Sequence, residues 1–348
     1  DNVAIGENAL DAVTTGTDNT GVGDNAAGAV TTGADNTAVG SGALLTEDTG
    51  TRNTAVGSTA LGTLNYDGAG YNTAVGYAAG TAVTTATHNT LIGALAGDAL
   101  TTGASNVAVG YNALSTDDVG QHNVAIGRDA LATQNIATAA NTYNTAVGSQ
   151  AGTAVTTGTL NTLVGGIAGD ALTTGQQNVA MGYGALSADD VGSHSVAVGV
   201  NALLSQNFAT GTNSYNTAVG SGAGSAVTTG IQNTFIGGGA GDAVTDADYN
   251  VSVGYGSLTT NVLGSRSVAI GVGSLATQNP ATATDMYNTA VGINAGNAVT
   301  TGINNTLIGG LAGDALTAGD ANTAVGMTAL SGVVTGDNNT ALGYRAMI

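Results

Sequence analysis

The sequence contains no cysteine and no tryptophan, and it has a single proline. The absence of cysteine excludes a disulfide framework and any thiolate metal site. Lysine is also absent, so four arginines stand against 23 acidic residues and the net charge is −19. A chain of this charge lacks the basic surface with which proteins bind nucleic acid or an anionic membrane. No apolar run approaches the roughly 20 residues that span a bilayer, so we expect no membrane insertion.

Glycine is abundant, with 57 residues, and it belongs to a repeat. The pentapeptide Asn-(Thr/Val)-x-(Val/Ile)-Gly, with Ser replacing Asn twice, recurs throughout the chain about 17 residues apart within rounds of four. Longer steps separate the rounds and give a super-repeat, whose copies begin at Asn72, Asn144, Asn216 and Asn288. Such regularity predicts a solenoid. We therefore expect one repeat domain over 1–348, with rounds at 2–71, 72–143, 144–215, 216–287 and 288–348.

Within each repeat the apolar pattern alternates, which is typical of a short strand. A repeat of this length is too short for a strand, a helix and two turns, so the pattern predicts an all-β parallel solenoid, or β-roll, of about 20 coils. The first residue of the motif predicts a ladder of stacked amide side chains. The invariant glycine predicts a positive φ or a close backbone approach. Representative positions of the two ladders are Asn72, Asn144, Asn216, Asn288, Gly76, Gly148, Gly220 and Gly292.

The residue between the two β-branched positions of the motif indicates whether chains associate side by side. If Val3 and Ile5 face the coil interior, Ala4 faces outward, and this middle position is apolar in nearly every coil. A strand that is apolar on both faces is buried on both faces. The pattern predicts a lateral homo-oligomer, most simply a trimer, with the alternative of a monomer carrying an apolar stripe. The interface would include Ala74, Leu91, Ala108, Leu163, Phe235 and Leu307.

Asn-Val-Ala-Ile-Gly at Asn2 and Asn-Thr-Ala-Val-Gly at Asn72, each followed three residues later by a small side chain, resemble the head repeats of trimeric autotransporter adhesins. They also resemble related repeats of phage and viral tail fibres. The resemblance covers the whole chain. It implies a left-handed β-roll with three chains side by side, an extracellular location at a cell or virion surface, and a role as a rigid fibre or adhesive head.

Extended loops occur at 132–143, 204–215 and 276–287, each with Gln-Asn near its start and Tyr at its end. Insertions in a solenoid map to one edge and often bind partners. The loops are therefore candidate contacts for a receptor or glycan, although the tyrosines could instead pack as a structural ladder. The candidate residues are Gln134, Asn135, Tyr143, Gln206, Asn207, Phe208, Tyr215, Gln278, Asn279 and Tyr287.

Acidic residues recur in the second coil of four rounds, at Asp98, Asp170, Asp242 and Asp314. Calcium would need several such oxygens to converge, and the Gly-rich nonapeptide of calcium-binding β-rolls is missing. Solvated surface charge is the preferred interpretation, and calcium a weak alternative. Three histidines in repeated positions give no metal triad, and we expect neither a catalytic residue nor another cofactor.

These observations predict a structural or adhesive fibre protein that presents a rigid rod for surface attachment. Because neither end carries a polar capping repeat, we also expect end-to-end stacking into filaments, or flanking domains that supply the caps. The alternative function is ice binding by ladders of Thr-Thr pairs such as Thr84-Thr85 and Thr101-Thr102, although the pairs are interrupted in many third and fourth coils.

Overall fold

The computed structural model describes residues 1–332 and 335–348, which form two compact units, Asp1–Gln176 and Gln177–Ile348. The described residues form strands and turns without a helix. Each unit is an all-β parallel solenoid in which one repeat of about 17 residues makes one coil. The fold class predicted from the repeat is confirmed at this level. The single domain over 1–348 stays a prediction.

In the first unit every coil contributes one three-residue strand from the pentapeptide, here called the motif strand. These strands are Val3–Ile5, Thr20–Val22, Thr37–Val39, Thr54–Val56, Thr73–Val75, Thr90–Ile92, Val107–Val109, Val124–Ile126, Thr145–Val147 and Thr162–Val164. A second, shorter parallel pair joins Gly120–Gln121 to Ala140–Asn141. This pair places the first extended loop beside the coil that precedes it.

The second unit repeats the arrangement. Its motif strands are Val179–Met181, Val196–Val198, Thr217–Val219, Thr234–Ile236, Val251–Val253, Val268–Ile270, Thr289–Val291, Thr306–Ile308, Thr323–Val325 and Thr340–Leu342. Shorter parallel pairs join Gly192–Ser193 to Thr212–Asn213 and Gly264–Ser265 to Thr284–Asp285. The other two extended loops are therefore attached in the same way as the first.

Equivalent residues of successive coils lie side by side. Thr73, for example, pairs with Thr90, and Leu91 pairs with Ala108. The coil-to-coil hydrogen bonds continue beyond the strands, because turn amides such as that of Leu114 donate to a carbonyl of the next coil, here Ala130 at 3.0 Å. Backbone polar groups are thus satisfied around most of each coil.

The motif strands face the opposite way from the prediction. The middle residue points into the coil and the two flanking residues point out, as in Thr90-Leu91-Ile92, where Leu91 is fully buried and Ile92 is 39% exposed. The predicted interface residues are accordingly core residues with no exposed surface: Ala74, Leu91, Ala108, Leu163, Phe235 and Leu307. Assigning them to a lateral interface was wrong, because the interior of so short a coil is narrow and accepts one inward side chain where two β-branched ones were expected.

The narrow interior is filled by complementary pairs of large and small residues. Where the middle residue is Leu91, glycine occupies positions 80 and 97; a Cβ on Gly80 would lie 2.6 Å from Leu91 Cδ1 and one on Gly97 2.8 Å from Leu91 Cδ2. Where the middle residue is alanine, the position equivalent to those glycines usually holds leucine, as with Ala108 and Leu114. Leu163, Phe235 and Leu307 are likewise each flanked by two glycines. This arrangement occurs once in each of these rounds, at the second coil, and so has the period of the super-repeat.

Candidate functional surfaces

The asparagine ladder forms as predicted. Asn72 Oδ1 accepts a hydrogen bond from the backbone N–H of Asn89 at 3.0 Å, and its Nδ2 donates to the carbonyl of Ala86 at 2.9 Å. Asn144, Asn216 and Asn288 make the equivalent bonds: each Oδ1 accepts from the first N–H of the next coil, and each Nδ2 donates to a carbonyl 14 residues further along the chain. All four side chains are buried. The ladder is therefore structural, because the side-chain amides already have backbone hydrogen-bond partners and link neighbouring coils.

The glycine ladder also has the predicted conformation. Gly76, Gly148, Gly220 and Gly292 have φ values of 140° to 144°. A Cβ on Gly76 would lie 2.5 Å from the carbonyl oxygen of Gly93, the equivalent residue of the next coil. The position therefore requires glycine for two reasons, a backbone conformation that other residues rarely adopt and the close approach of a second backbone.

Gln134, Gln206 and Gln278 are fully buried and so are not surface contacts, contrary to the prediction. Each occupies the inward position that holds Val83 and Leu100 in earlier coils. Gln134 Nε2 donates to Asp117 Oδ2 at 2.5 Å, and Gln134 Oε1 accepts from Asn144 Nδ2 at 2.8 Å. Polar side chains occupy these core positions because each glutamine links a buried partner of the preceding coil to the asparagine ladder.

The buried partners are carboxylates in two of the three cases. Asp117 and Asp189 pair with Gln134 and Gln206, whereas the third pair has the neutral Asn261 in the same place, 3.4 Å from Gln278 Nε2. Burial raises the pKa of the Asp117 and Asp189 carboxyls, although the glutamine Nε2 and a backbone N–H oppose the rise. Burial likewise raises the pKa of Glu47.

The extended loops expose fewer of the candidate contacts than predicted. Phe208 is 5% exposed and packs inward, so it is a core residue and not a contact. Asn135, Asn207 and Asn279 are exposed. Each of these asparagines also donates its backbone N–H to a threonine carbonyl of the following coil, which fixes the loop at its start.

Tyr143, Tyr215 and Tyr287 end the three extended loops, with about half of each side chain exposed. Each has a positive φ near 50° and lies against the equivalent residue of the preceding coil. The rings of His122 and Tyr143 lie 5.1 Å apart, those of His194 and Tyr215 lie 5.0 Å apart, and Arg266 lies 5.8 Å from the Tyr287 ring. The tyrosines thus pack as a ladder and still present an accessible edge.

The outward face of the motif strands is uncharged, and one of its two positions in each strand is always apolar. Its third position holds Val, Ile, Met or Leu in every coil, and its first position holds Thr or Val. Several of these side chains are more than a third exposed, namely Ile92, Ile126, Met181, Val219, Ile236, Ile270 and Ile308. The sequence pattern predicted apolar residues on both faces of the strand but assigned the inward and outward faces the wrong way round. The pairing of Leu91 with glycines 80 and 97 was the signal that could have assigned the inward face.

The recurring aspartates remain apart from one another. Asp98 Oδ1 and Asp170 Oδ1 are buried without a hydrogen-bond partner, and burial raises the pKa of both carboxyls. Asp242 differs, because its Oδ1 accepts a hydrogen bond from Thr259 Oγ1 at 2.7 Å. Within residues 1–332 and 335–348, no three His, Cys, Asp or Glu side chains come together as metal ligands would.

The threonine pairs lie at a corner of the coil. Thr84 Oγ1 donates to the carbonyl of Thr101 at 3.2 Å, and Thr101 Oγ1 donates to the carbonyl of Asp118 at 3.0 Å. The hydroxyl of the first threonine in each of these pairs therefore links two coils, and the second threonine, such as Thr85, is exposed.

Comparison with known proteins returned no match to any protein-family model and no significant match to a curated protein. Among the described residues no helix is both long and apolar enough to cross a membrane.

Proposed function

We propose that the protein is a structural and adhesive fibre component whose chains associate side by side through the outward face of the motif strands. The observation that supports this most directly is the set of exposed Val, Ile and Met side chains on the outward face of each unit, whose interior is already filled. A soluble monomer rarely exposes a long contiguous apolar surface, since such surfaces favour association. A trimer of left-handed rolls is the simplest assembly.

The distribution of charge favours a second copy of this chain as the partner. The chain carries a net charge of −19, and two copies that met through most other surfaces would bring carboxylates together. The motif strands hold no charged residue, so their outward faces can approach without this repulsion. Small and β-branched side chains also let two sheets pack closely.

Attachment would use the exposed tyrosines that end the loops. Tyr143, Tyr215 and Tyr287 each present about half of the side chain to solvent, and tyrosine is enriched where proteins bind partners. A cell or virion surface is the location that this role requires.

Charge substitution on the outward face tests the lateral association. We expect the triple variant Ile92→Lys, Val109→Lys and Ile126→Lys to fall to monomer mass in sedimentation while keeping its β-type circular dichroism. A matched control, Thr85→Lys with Thr102→Lys and Thr157→Lys, adds the same charge at exposed corner positions and should keep the wild-type mass. A wild-type chain that stays monomeric at every concentration would refute the proposal.

The same face favours ice binding as a second function. Successive coils present outward threonines in register, as at Thr54, Thr73 and Thr90, on a parallel sheet whose strands repeat every ~4.8 Å. Such a row differs from the corner pairs, because it lies on a sheet and not in a turn. Thermal hysteresis that Thr73→Tyr abolishes would support this function, and the absence of hysteresis in the wild-type chain would end it.

A further inference from the structure

A groove of about 570 Å³ lies on the second unit, beyond the glycine that ends each motif strand. Its side chains come from Tyr255, Asp242, Thr259, Ser221 and Val272, and its backbone from Gly238, Gly239, Gly256 and Gly273. None of these residues belongs to a motif strand or to an extended loop. The groove therefore needs an explanation of its own.

The groove exists because round 216–287 departs from the other rounds. The second residue after the strand-ending glycine is Gly222, Gly239, Gly256 and Gly273 in four successive coils, whereas each other round has at most one glycine there. The backbone at these positions has a φ between 60° and 67°. Larger side chains adopt the same conformation elsewhere, including Asn112 and Gln150 with φ values of 58° and 60°. Glycine is therefore not required by the fold, and its use opens the surface.

The groups that line the groove have complementary chemistry. The Tyr255 side chain is 72% exposed, and its ring lies over Gly238, where a Cβ would be 3.5 Å from Tyr255 Cδ2. Asp242 Oδ1 accepts a hydrogen bond from Thr259 Oγ1. Asp242 Oδ2 points toward Gly239, where a Cβ would lie 3.5 Å from it. An aromatic surface thus lies beside a fixed acceptor of hydrogen bonds.

We propose that this groove binds a neutral oligosaccharide. The apolar C–H face of one pyranose ring would stack on Tyr255, and its hydroxyls would donate hydrogen bonds to Asp242 Oδ2. An anionic sugar is disfavoured by Asp242 and by the net charge of −19. The inference names a ligand class for the attachment role proposed above and rests on that role only for its biological purpose, because the groove lies within one chain.

Binding can be measured on the full chain with soluble maltohexaose, cellohexaose and N-acetylchitohexaose, by titration calorimetry and by saturation transfer from protein to ligand protons. We expect at least one of the three to bind, with saturation transfer strongest on the protons of a single pyranose face. Tyr255→Ala should weaken that binding by about tenfold. The matched control Tyr183→Ala removes an equivalent exposed tyrosine outside the groove and should leave the affinity unchanged.

A second pair of variants separates binding from folding. Gly256→Gln introduces at φ 61° the residue found at position 150 with φ 60°, and no other atom lies within 4 Å of its Cβ, so it should fill the groove of a folded chain. The control Gly42→Gln lies in the first unit with a φ of 65°, and its Cβ would meet only Thr59 Cγ2, at an ordinary contact distance of 3.8 Å. Loss of binding in the Gly256 variant alone supports the groove.

Three results would overturn the inference: no binding of any of the three sugars at millimolar concentration, equal binding by both glutamine variants, or preference for a cationic probe such as hexa-arginine. A monomeric chain that binds the sugar would instead refute the lateral fibre and leave the groove intact.

Discussion

At the scale of single residues, the asparagine that begins most coils stabilises the contact with the next coil. Asn89 Oδ1 accepts from the N–H of Asn106, and Asn89 Nδ2 donates to the carbonyl of Gly103, with all three groups away from solvent. Hydrogen bonds in such a place matter mainly through the cost of leaving a buried partner unpaired. The ladder therefore makes each coil dependent on its neighbour.

Asn89→Ala should lower the free energy of unfolding by about 2–4 kcal/mol, because it leaves the Asn106 N–H and the Gly103 carbonyl unpaired. Urea denaturation followed by circular dichroism measures the change. Asn135→Ala, at an exposed asparagine, serves as the control and should cost less than about 0.5 kcal/mol. Equal effects of the two variants would mean that the ladder contributes no net stability.

The buried Asp117 carboxyl predicts a pH dependence with a definite sign. Its pKa is raised because burial disfavours the charged form. The folded chain therefore binds this proton more tightly than the unfolded chain, so the contribution of Asp117 to stability is greatest below its ordinary pKa and is lost as the pH rises through the raised value. We expect Asp117→Asn to be more stable than the wild type at pH 7 and to converge with it below about pH 3.

The chain itself offers the precedent, since Asn261 occupies the same position as Asp117 and accepts the Gly264 N–H at 3.0 Å. Unfolding curves of the variant and the wild type at several pH values would measure the effect. Asp11→Asn removes the same charge from an exposed side chain and controls for the relief of the overall negative charge. A variant whose pH profile is parallel to that of the wild type would show that Asp117 does not titrate as argued.

At the scale of the strand, three residues divide their roles between two faces. In Thr90–Ile92 the middle leucine packs between coils, whereas the isoleucine contacts solvent on one side. We expect Leu91→Ala to cost about 2–5 kcal/mol through the cavity that it leaves. Ile92→Ala should cost about 1 kcal/mol or less, because the side chain is already 39% exposed. Thermal denaturation of both variants checks the difference, and the reverse order would contradict the assignment of the faces.

The strand is also where sequence reasoning failed. The alternation of Val3, Ala4 and Ile5 established a strand, and the apolar character of both faces was correctly recognised. The inward face of the strand was not identified correctly, because bulky and β-branched side chains usually occupy the core side of a sheet. Here the interior is one side chain wide, so alanine or a leucine matched by glycines fits inside. A comparison between coils, such as Leu91 with Gly80 against Ala108 with Leu114, contains the information that a single motif lacks.

Gln134 and Phe208 were misplaced for a related reason. Both lie in the fourth coil of their round, where the chain lengthens, and a loop insertion suggests exposure. Both side chains instead occupy the interior. The asparagine and glycine ladders were predicted correctly, because a residue that repeats in register with itself reports directly on stacking.

At the scale of the whole molecule, the recurring aspartates allow a clear test of the calcium alternative. Asp98 and Asp170 belong to coils of different rounds, and the described part of the chain holds no cluster of three acidic or histidine side chains. We therefore expect the melting temperature to be the same in excess EDTA and in millimolar calcium, as followed by circular dichroism. A rise of several degrees with calcium would show specific binding to the folded state.

Function was less accessible from the sequence than the fold was. The pentapeptide recurs twenty times, and this recurrence indicates how coils stack. It does not indicate where a site that occurs only once would lie. The groove beside Tyr255 is lined by three of the four glycines that break the local pattern of round 216–287, and these glycines stand out only when rounds are compared with one another.

The matching of Leu91 with glycines 80 and 97 also restricts how such a chain can change its length. Removal of one coil, 89–105, would leave Gly80 facing an alanine and open a cavity, whereas removal of 72–143 would join equivalent positions. A gene of this kind can therefore gain or lose sequence by recombination between rounds while keeping a filled interior. The heritable module is four coils, and populations of related genes would differ in length by whole modules.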